Sequence, residues 1–331
     1  MASPIPVLRA ITPRETPVIQ SSYGILLTLA FSLAILPIME NQHAAHGQNI
    51  SPTKPSITYA APDQQPQLLD LYMPANASDP APVVIWVHGG AWRSGSRSRV
   101  PITHLLEHGL AIASVDYRLS GDAPFPAQVH DINHAIDYLH LHAKALGLDP
   151  ERFAIAGSSA GGHLAALVGV SHGVKKLSAP PSEEPEPSSE TQASKPKPKP
   201  KPPQLKAIVS FFGASNLQTI LQQSTPHGLS VRVPALQLLL RGQPDQNPEL
   251  AKLASPVSHV DSDDPPMLLL HGDQDPQMPI NQSHELEGAY QRAGGTVHFD
   301  VVHGGAHGGT HFFTKTQLNR VAEFIHASFG D

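Results

Sequence analysis

The chain has no cysteine among its 331 residues. Disulfide bridges, thiol nucleophiles and a lipid-bearing N-terminal cysteine are therefore excluded. Export is not excluded, because a domain of this size buries enough core to hold without covalent staples. Positive charge is not in excess either. The formal net charge is −6, which gives no reason to expect a nucleic-acid partner. Histidine is plentiful, with 20 residues, but no H-E-x-x-H or other paired metal spacing occurs. Most of the histidines read as surface or packing residues, and neither a metal nor another cofactor is expected.

Two segments fall outside a compact domain that begins near residue 50. The apolar run Tyr23 to Met39 follows a leader containing Arg9 and Arg14 and precedes the polar stretch Asn41 to Gln48. That order is the pattern of a secretory signal over residues 1–47, cleaved near Ala45 or Gly47, with the mature protein secreted or periplasmic. The rival is an uncleaved membrane anchor with the domain on the outer side. Pro37 and the modest length favour cleavage, since spanning takes about 20 apolar residues. Mass spectrometry of exported protein is expected to find a start near residues 44–50. A start at Met1 or Ala2, in the membrane fraction, would establish the anchor.

The second segment, Ser178 to Pro203, holds nine prolines in 26 residues, with glutamates first and a Lys-Pro repeat after. Proline denies it helix or ladder hydrogen bonds, and it has little to bury. It reads as an extended surface insert between a helix and the next strand. The lysines are also suited to holding an acidic polymer or a cell-wall surface.

From about Ile57 onward, strand-like and helix-like segments alternate, the pattern of an α/β fold with a mostly parallel sheet and helices on both faces. Val83 to Val87, Ala111 to Val115, Phe153 to Ala156, Leu205 to Phe212, Pro266 to Leu270 and Thr296 to Val302 are the candidate strands. Unbroken apolar runs such as Val83 to Val87 belong in strands covered on both sides. Apolar residues recur at helical spacing from Ala127 to Leu146, with Gly147 as the stop, and Thr316 to Phe329 reads as a closing helix.

Gly157-Ser158-Ser159-Ala160-Gly161 stands between the apolar run Phe153 to Ala156 and the helix-like Gly162 to Val168. G-x-S-x-G between strand and helix places its central serine, Ser159, on a sharp turn with the hydroxyl exposed above the sheet. The glycines are needed because side chains there would meet the adjoining strand or helix. Ser158 is off-centre and reads as a packing or locally bonded residue. A serine nucleophile needs a base, an orienter for the base and donors for the developing oxyanion. In this arrangement the chain order is serine, acid, histidine. His271-Gly272-Asp273-Gln274-Asp275 follows a strand, and Asp275 is favoured as the acid, with Asp273 as a turn residue bonding local amides. In the glycine-rich His303 to Gly309 loop, His307 is favoured as the base over His303, with His311 further off. His88-Gly89-Gly90-Ala91-Trp92 follows another strand. Backbone amides around Gly90 and Ala91, with that of Ala160, are the candidate oxyanion donors.

These stretches, together with LDLYMP, VDYRLSGDAPFPAQVHD and DDPPMLLLHGDQDPQMP, resemble α/β-hydrolases of the esterase/lipase kind, and more narrowly the bacterial feruloyl/acetyl-xylan esterase-like group. The resemblance runs from about Gln67 to the C-terminus. It implies the α/β-hydrolase fold, Ser159, Asp275 and His307 as a triad, and a short acyl or feruloyl ester of a carbohydrate or small alcohol as substrate. Ala91 stands where the family commonly has a third glycine, and the proline-rich insert replaces a segment that could line the cleft. Trp92 is either a cleft wall for sugar or aromatic groups or a packing residue. Arg118 is expected to anchor a loop, Asp131 to brace a helix or loop, and His163 to pack. The competing readings are an amide hydrolase of the aryl-formamidase or peptidase type and a non-catalytic binding protein on the same fold. A propeller-bearing peptidase has no room in this chain, and a degenerate copy has no reason to keep serine, acid and histidine in order.

Overall fold

The computed structural model describes residues 50–62, 65–75, 80–178 and 204–331. The expectations for the leader (residues 1–47) and for all of the insert but Ser178 lie outside the described residues. The strands are β1 (Lys54–Ala60), β2 (Gln67–Tyr72), β3 (Ala81–Val87), β4 (Ala111–Val115), β5 (Leu148–Ser158), β6 (Leu205–Phe211), β7 (Met267–Gly272) and β8 (Val297–Val302). The helices are α1 (Ala127–Leu141), α2 (Ala143–Leu146), α3 (Ala160–Val170), α4 (Ile220–Gln223), α5 (Pro226–Leu239), α6 (Pro248–Leu253), α7 (Asn281–Ala293) and α8 (Lys315–Phe329).

The strands form one eight-stranded sheet in the order β1-β2-β4-β3-β5-β6-β7-β8. β1 and β2 pair antiparallel, as do β2 and β4. Every pairing from β4 through β3 to β8 is parallel. Side chains alternate between the two faces of a strand, and both faces are covered. In β3, Val83, Ile85 and Val87 join one apolar cluster with Val129, Ile132 and Leu139 of α1, Leu164 and Leu167 of α3, and Leu286 of α7. Val84 and Trp86 point into a second cluster with Leu105, Leu318, Val321 and Ile325. A strand buried on both sides cannot alternate apolar with polar residues, which is why β3 to β7 read as continuous runs. This is the α/β-hydrolase fold.

The helix expected over Ala127 to Leu146 is in two pieces. The α-conformation is lost at His142 (φ −100°, ψ 8°), and the short α2 then ends at Gly147 in the left-handed region, φ 77°. The closing helix starts one residue earlier than expected, because the Thr314 hydroxyl accepts the Gln317 amide at 3.1 Å and caps it. Arg118 and Asp131 act as anticipated. The fully buried Asp131 carboxylate accepts from the Arg118 backbone amide at 2.8 Å and from its guanidinium at 2.8–3.1 Å. The pair ties the loop after β4 to α1.

Candidate active site

The C-terminal ends of parallel strands, where loops leave the sheet, are where such folds build sites. At the end of β5 the backbone turns sharply into α3, with Ser159 at φ 54°, ψ −119°. A non-glycine residue at such angles is strained and is held there by its surroundings. The Ser159 amide donates to the Phe211 carbonyl at 2.9 Å, and its carbonyl accepts the His163 amide at 3.0 Å. The flanking glycines are required sterically. A Cβ on Gly157 would overlap the Gly161 carbonyl, and one on Gly161 would overlap the Val87 carbonyl of β3. Helix α3 can therefore cross close to the sheet only with hydrogen at both positions.

The loops after β7 and β8 meet just as closely. A side chain on Gly272 would strike the Gly305 backbone, and the Gln274 amide donates to the Gly305 carbonyl at 3.0 Å. This contact brings His307 beside Asp275. His307 Nδ1 lies 2.7 Å from Asp275 Oδ2, and Nε2 lies 2.8 Å from Ser159 Oγ. Phe212 packs edge-on against the imidazole at 4.9 Å. The Asp275 side chain is shut off from solvent, and its Oδ1 accepts the amides of Gln277 and Met278 at 2.8 and 2.7 Å. Burial alone would raise its pKa. Hydrogen bonds from His271 and His307, the charge of His307 when protonated and the Met278 amide outweigh burial and hold the carboxyl well below its ordinary value. It is therefore ionised, and an acceptor, at neutral pH.

Asp273 and His303, the alternatives, are paired with each other away from Ser159. His303 Nδ1 donates to Asp273 Oδ2 at 2.9 Å, and the Gly304 amide donates to Oδ1 at 2.8 Å. Asp273 is thus a loop brace, but its partners lie in the next loop rather than among local amides. His311 is exposed.

The loop after β3 supplies the far wall. Gly90, Ala91 and Trp92 all have positive φ, at 124°, 51° and 59°. The Gly90 carbonyl accepts the amides of Arg93 and Ser94, both at 3.1 Å, which fixes the turn. A recess beside Ser159 is lined by Ala91, Trp92, Ala160 and, from α5 and the loop after β7, Val231, Arg232, Ala235, Gln277 and Met278. Of the three candidate oxyanion donors, Ala91 and Ala160 border the recess, while Gly90 is not among its lining residues. Ala160 is the first residue of α3, where amides have no partner within the helix. Trp92 borders the recess yet is only 2% exposed. Its indole N–H donates to His163 Nδ1 at 3.0 Å, and the rings meet edge to face. The tryptophan is a packed wall and not an exposed sugar platform. His163 is a packing residue, as expected.

Sequence reasoning missed the contributions of α5 and of Gln277 and Met278. The available signals were Thr225-Pro226, a cap followed by proline at the first helical position, and a lone arginine within Val231 to Ala235. Among the described residues, no group of three or more His, Asp or Glu is placed to hold a metal ion.

A parallel sheet that presents a serine on a strained strand-to-helix turn, against a histidine and carboxylate from the next loops, defines the α/β-hydrolase class. Within that class the chain belongs to the BD-FAE family, whose model matches residues 69–290. Among curated proteins it is 28% identical over 274 residues to Esterase LipC of Mycobacterium tuberculosis, covering 78% of this chain and 63% of that one. Esterase LipQ of the same organism is 30% identical over 217 residues, 65% of this chain and 47% of LipQ. The chain thus spans less than two thirds of the length of these relatives. Among solved structures, a truncated carbohydrate esterase from gut microbiota matches with a TM-score of 0.70 and 28% identity, over 86% of this chain and 99% of that one.

Proposed function

We propose that the protein is a serine carboxylic-ester hydrolase that removes short acyl groups, acetyl foremost, or feruloyl groups from esters of carbohydrates or small alcohols. The observation that carries this reading is the continuous hydrogen-bonded series Ser159 Oγ, His307 Nε2, His307 Nδ1, Asp275 Oδ2, with spacings of 2.8 and 2.7 Å. In this reading Ser159 Oγ attacks the ester carbonyl carbon while His307 Nε2 takes its proton. The amides of Ala91 and Ala160 donate to the oxygen that becomes negative. Each such donor is worth roughly 2.7–4 kcal/mol in the transition state. On collapse, His307 returns the proton to the departing alcohol oxygen, leaving an acyl group on Ser159. A water deprotonated by His307 then attacks the acyl carbon and releases the acid. Asp275 holds the imidazole in the required tautomer and stabilises its cation.

Substrate class is supported by the names of the relatives, two esterases and a carbohydrate esterase, and by the recess walls. Ala91, Trp92, Val231 and Ala235 crowd the space beside the nucleophile, which suits a short chain better than a fatty one. The leader read from the sequence supports action outside the cytoplasm. The test is a comparison of kcat/KM for acetyl, butyryl, octanoyl and feruloyl esters, followed by acetate release from acetylated xylan. Acetyl and butyryl esters are expected to be cleaved far faster than octanoyl esters. A preference for octanoyl would make the protein a lipase, and faster cleavage of formyl-anilides than of any ester would make it an amidase.

A further inference from the structure

The recess beside Ser159 contains a buried cation that the hydrolytic steps do not use. Arg232 sits on α5 among Val231, Val233, Pro234 and Ala235 and lines the recess with Ser159 and Ala160. Only 2% of the residue is exposed. A guanidinium buried to that extent is ordinarily matched by a carboxylate. Here Nη1 donates to the Gly228 carbonyl at 3.0 Å and Nη2 to the Met278 sulfur at 3.2 Å, a weak acceptor. Nε is buried and donates to nothing in the protein. The acid whose charge acts on it is Asp275, and that carboxylate is already engaged by His307 and two amides. Burial pushes the guanidinium down to about 10, against the pull of Asp275, so it is still a cation at neutral pH.

The placement is built into the fold. Thr225 caps α5 through the Gly228 amide at 3.0 Å, and its hydroxyl donates to the Pro276 carbonyl at 2.5 Å. Those bonds tie the helix to the loop bearing Gln277 and Met278. A Cβ on Gly228 would come within 2.9 Å of the Gln277 carbonyl and 3.0 Å of Arg232 Nη1, so glycine is what lets the helix close around the guanidinium. Apart from Ser159 and Gln277, the other lining residues are apolar: Ala91, Trp92, Ala160, Val231, Ala235 and Met278. A wholly apolar substrate group in this space would leave the Arg232 cation uncompensated, whereas a carboxylate would neutralise it.

We infer that Arg232 is a carboxylate-recognition residue, and that the ester taken by this site bears a free carboxylate on the half that enters the recess. This rests on the ester-hydrolase reading and narrows it. The charge is carried either by the acyl half, as in the half-ester of a short dicarboxylic acid, or by the alcohol half, as in the acetyl ester of a hydroxy acid or acidic sugar.

Two matched substrate pairs test the inference on the purified full chain. Monoethyl succinate is compared with ethyl butyrate for the acyl half, and acetylglycolate with propyl acetate for the alcohol half. In one pair the acidic ester is expected to have a kcat/KM roughly 10- to 100-fold higher than its neutral partner. Arg232→Gln should bring that ratio to about one or below, and Arg232→Lys, which keeps the charge but not the planar fork, should retain part of it. Inhibition of the unaltered protein keeps the test open if the variants do not fold: succinate or glycolate should compete with substrate where the corresponding amide does not. Neutral esters preferred in both pairs, with the acids inhibiting no better than their amides, would overturn the inference and leave the hydrolase reading standing. An equal loss on both members of each pair in Arg232→Gln would also overturn it, since that marks a purely structural arginine. If neither pair is turned over and a fluorophosphonate does not label Ser159, the hydrolase reading itself falls, and this inference with it.

Discussion

Ser159→Ala is expected to lower kcat by roughly 10⁴–10⁶-fold while the protein remains folded. The alanine has no oxygen to attack the acyl carbon, yet the turn that presents it is held by backbone bonds to Phe211 and His163 and by glycine contacts that do not involve the hydroxyl. His307→Ala should cost a similar factor, because without Nε2 at 2.8 Å nothing accepts the Ser159 proton. The double variant should be little worse than either single one. Groups that act as one unit show this non-additivity, since removing any member already disables the attack. Activity that remains should come from the oxyanion donors and binding alone. The check is steady-state kinetics on an acetyl ester, with circular dichroism to establish that each variant is folded. Near-normal turnover by Ser159→Ala would remove Ser159 as the nucleophile.

Much of this site was legible because it depends on close backbone approaches that only certain residues permit. Gly157 and Gly161 answer to steric demands from α3 and β3, so the pentapeptide and its apolar flanks carry their geometry with them. The same holds for Gly272, against which the histidine loop packs. Asp275 is favoured over Asp273 by its spacing from His271-Gly272, and His307 over His303 by its small neighbours and its distance from the strand end. The structure places the favoured pair beside Ser159 and the other pair against each other. What was not legible depends on tertiary docking. Helix α5 is apolar on several sides and contains Pro234, which obscures its helical period. The lone Arg232 among apolar residues marks an unusual position, but its meeting the recess depends on how α5 docks. Trp92 could not be resolved between wall and packing residue, because its partner His163 lies 71 positions away. The break at His142 was hidden because apolar spacing continues through it.

Acidification should destabilise the folded protein between about pH 6.5 and 4 through His163. This imidazole is fully buried, with Nε2 donating to the Ala254 carbonyl at 2.7 Å and Nδ1 accepting the Trp92 indole N–H at 3.0 Å. Both nitrogens are thereby committed to the neutral ring, and a second proton on Nδ1 would face another donor. Burial accordingly lowers its pKa from 6.5 to about 4, only partly offset by the Ala254 bond. Since the folded value lies below the unfolded one, the unfolded chain takes up the proton first. Stability from this group is complete above about 6.5, declines as pH falls through the window, and changes no further below about 4. At about 1.4 kcal/mol per unit the total approaches ~3 kcal/mol. His88 is shifted the same way by burial and adds to the trend. Asp264 opposes it: burial, with Asp261 and Asp263 nearby, raises its pKa to about 7, so its protonation on acidification favours the folded state, and being half-buried it contributes weakly. Asp275 acts in a lower range, because a depressed carboxyl withdraws stability only as pH falls below the unfolded value of 3.8. The contribution of His163 is isolated by subtraction, with urea unfolding of the unaltered protein and of His163→Gln measured at intervals from pH 8 to 4. The variant should be less stable at pH 8, where the Trp92 and Ala254 bonds are disturbed, and the difference should narrow as pH falls, because glutamine does not titrate. A difference that stays constant across the window would show that His163 is not the titrating group.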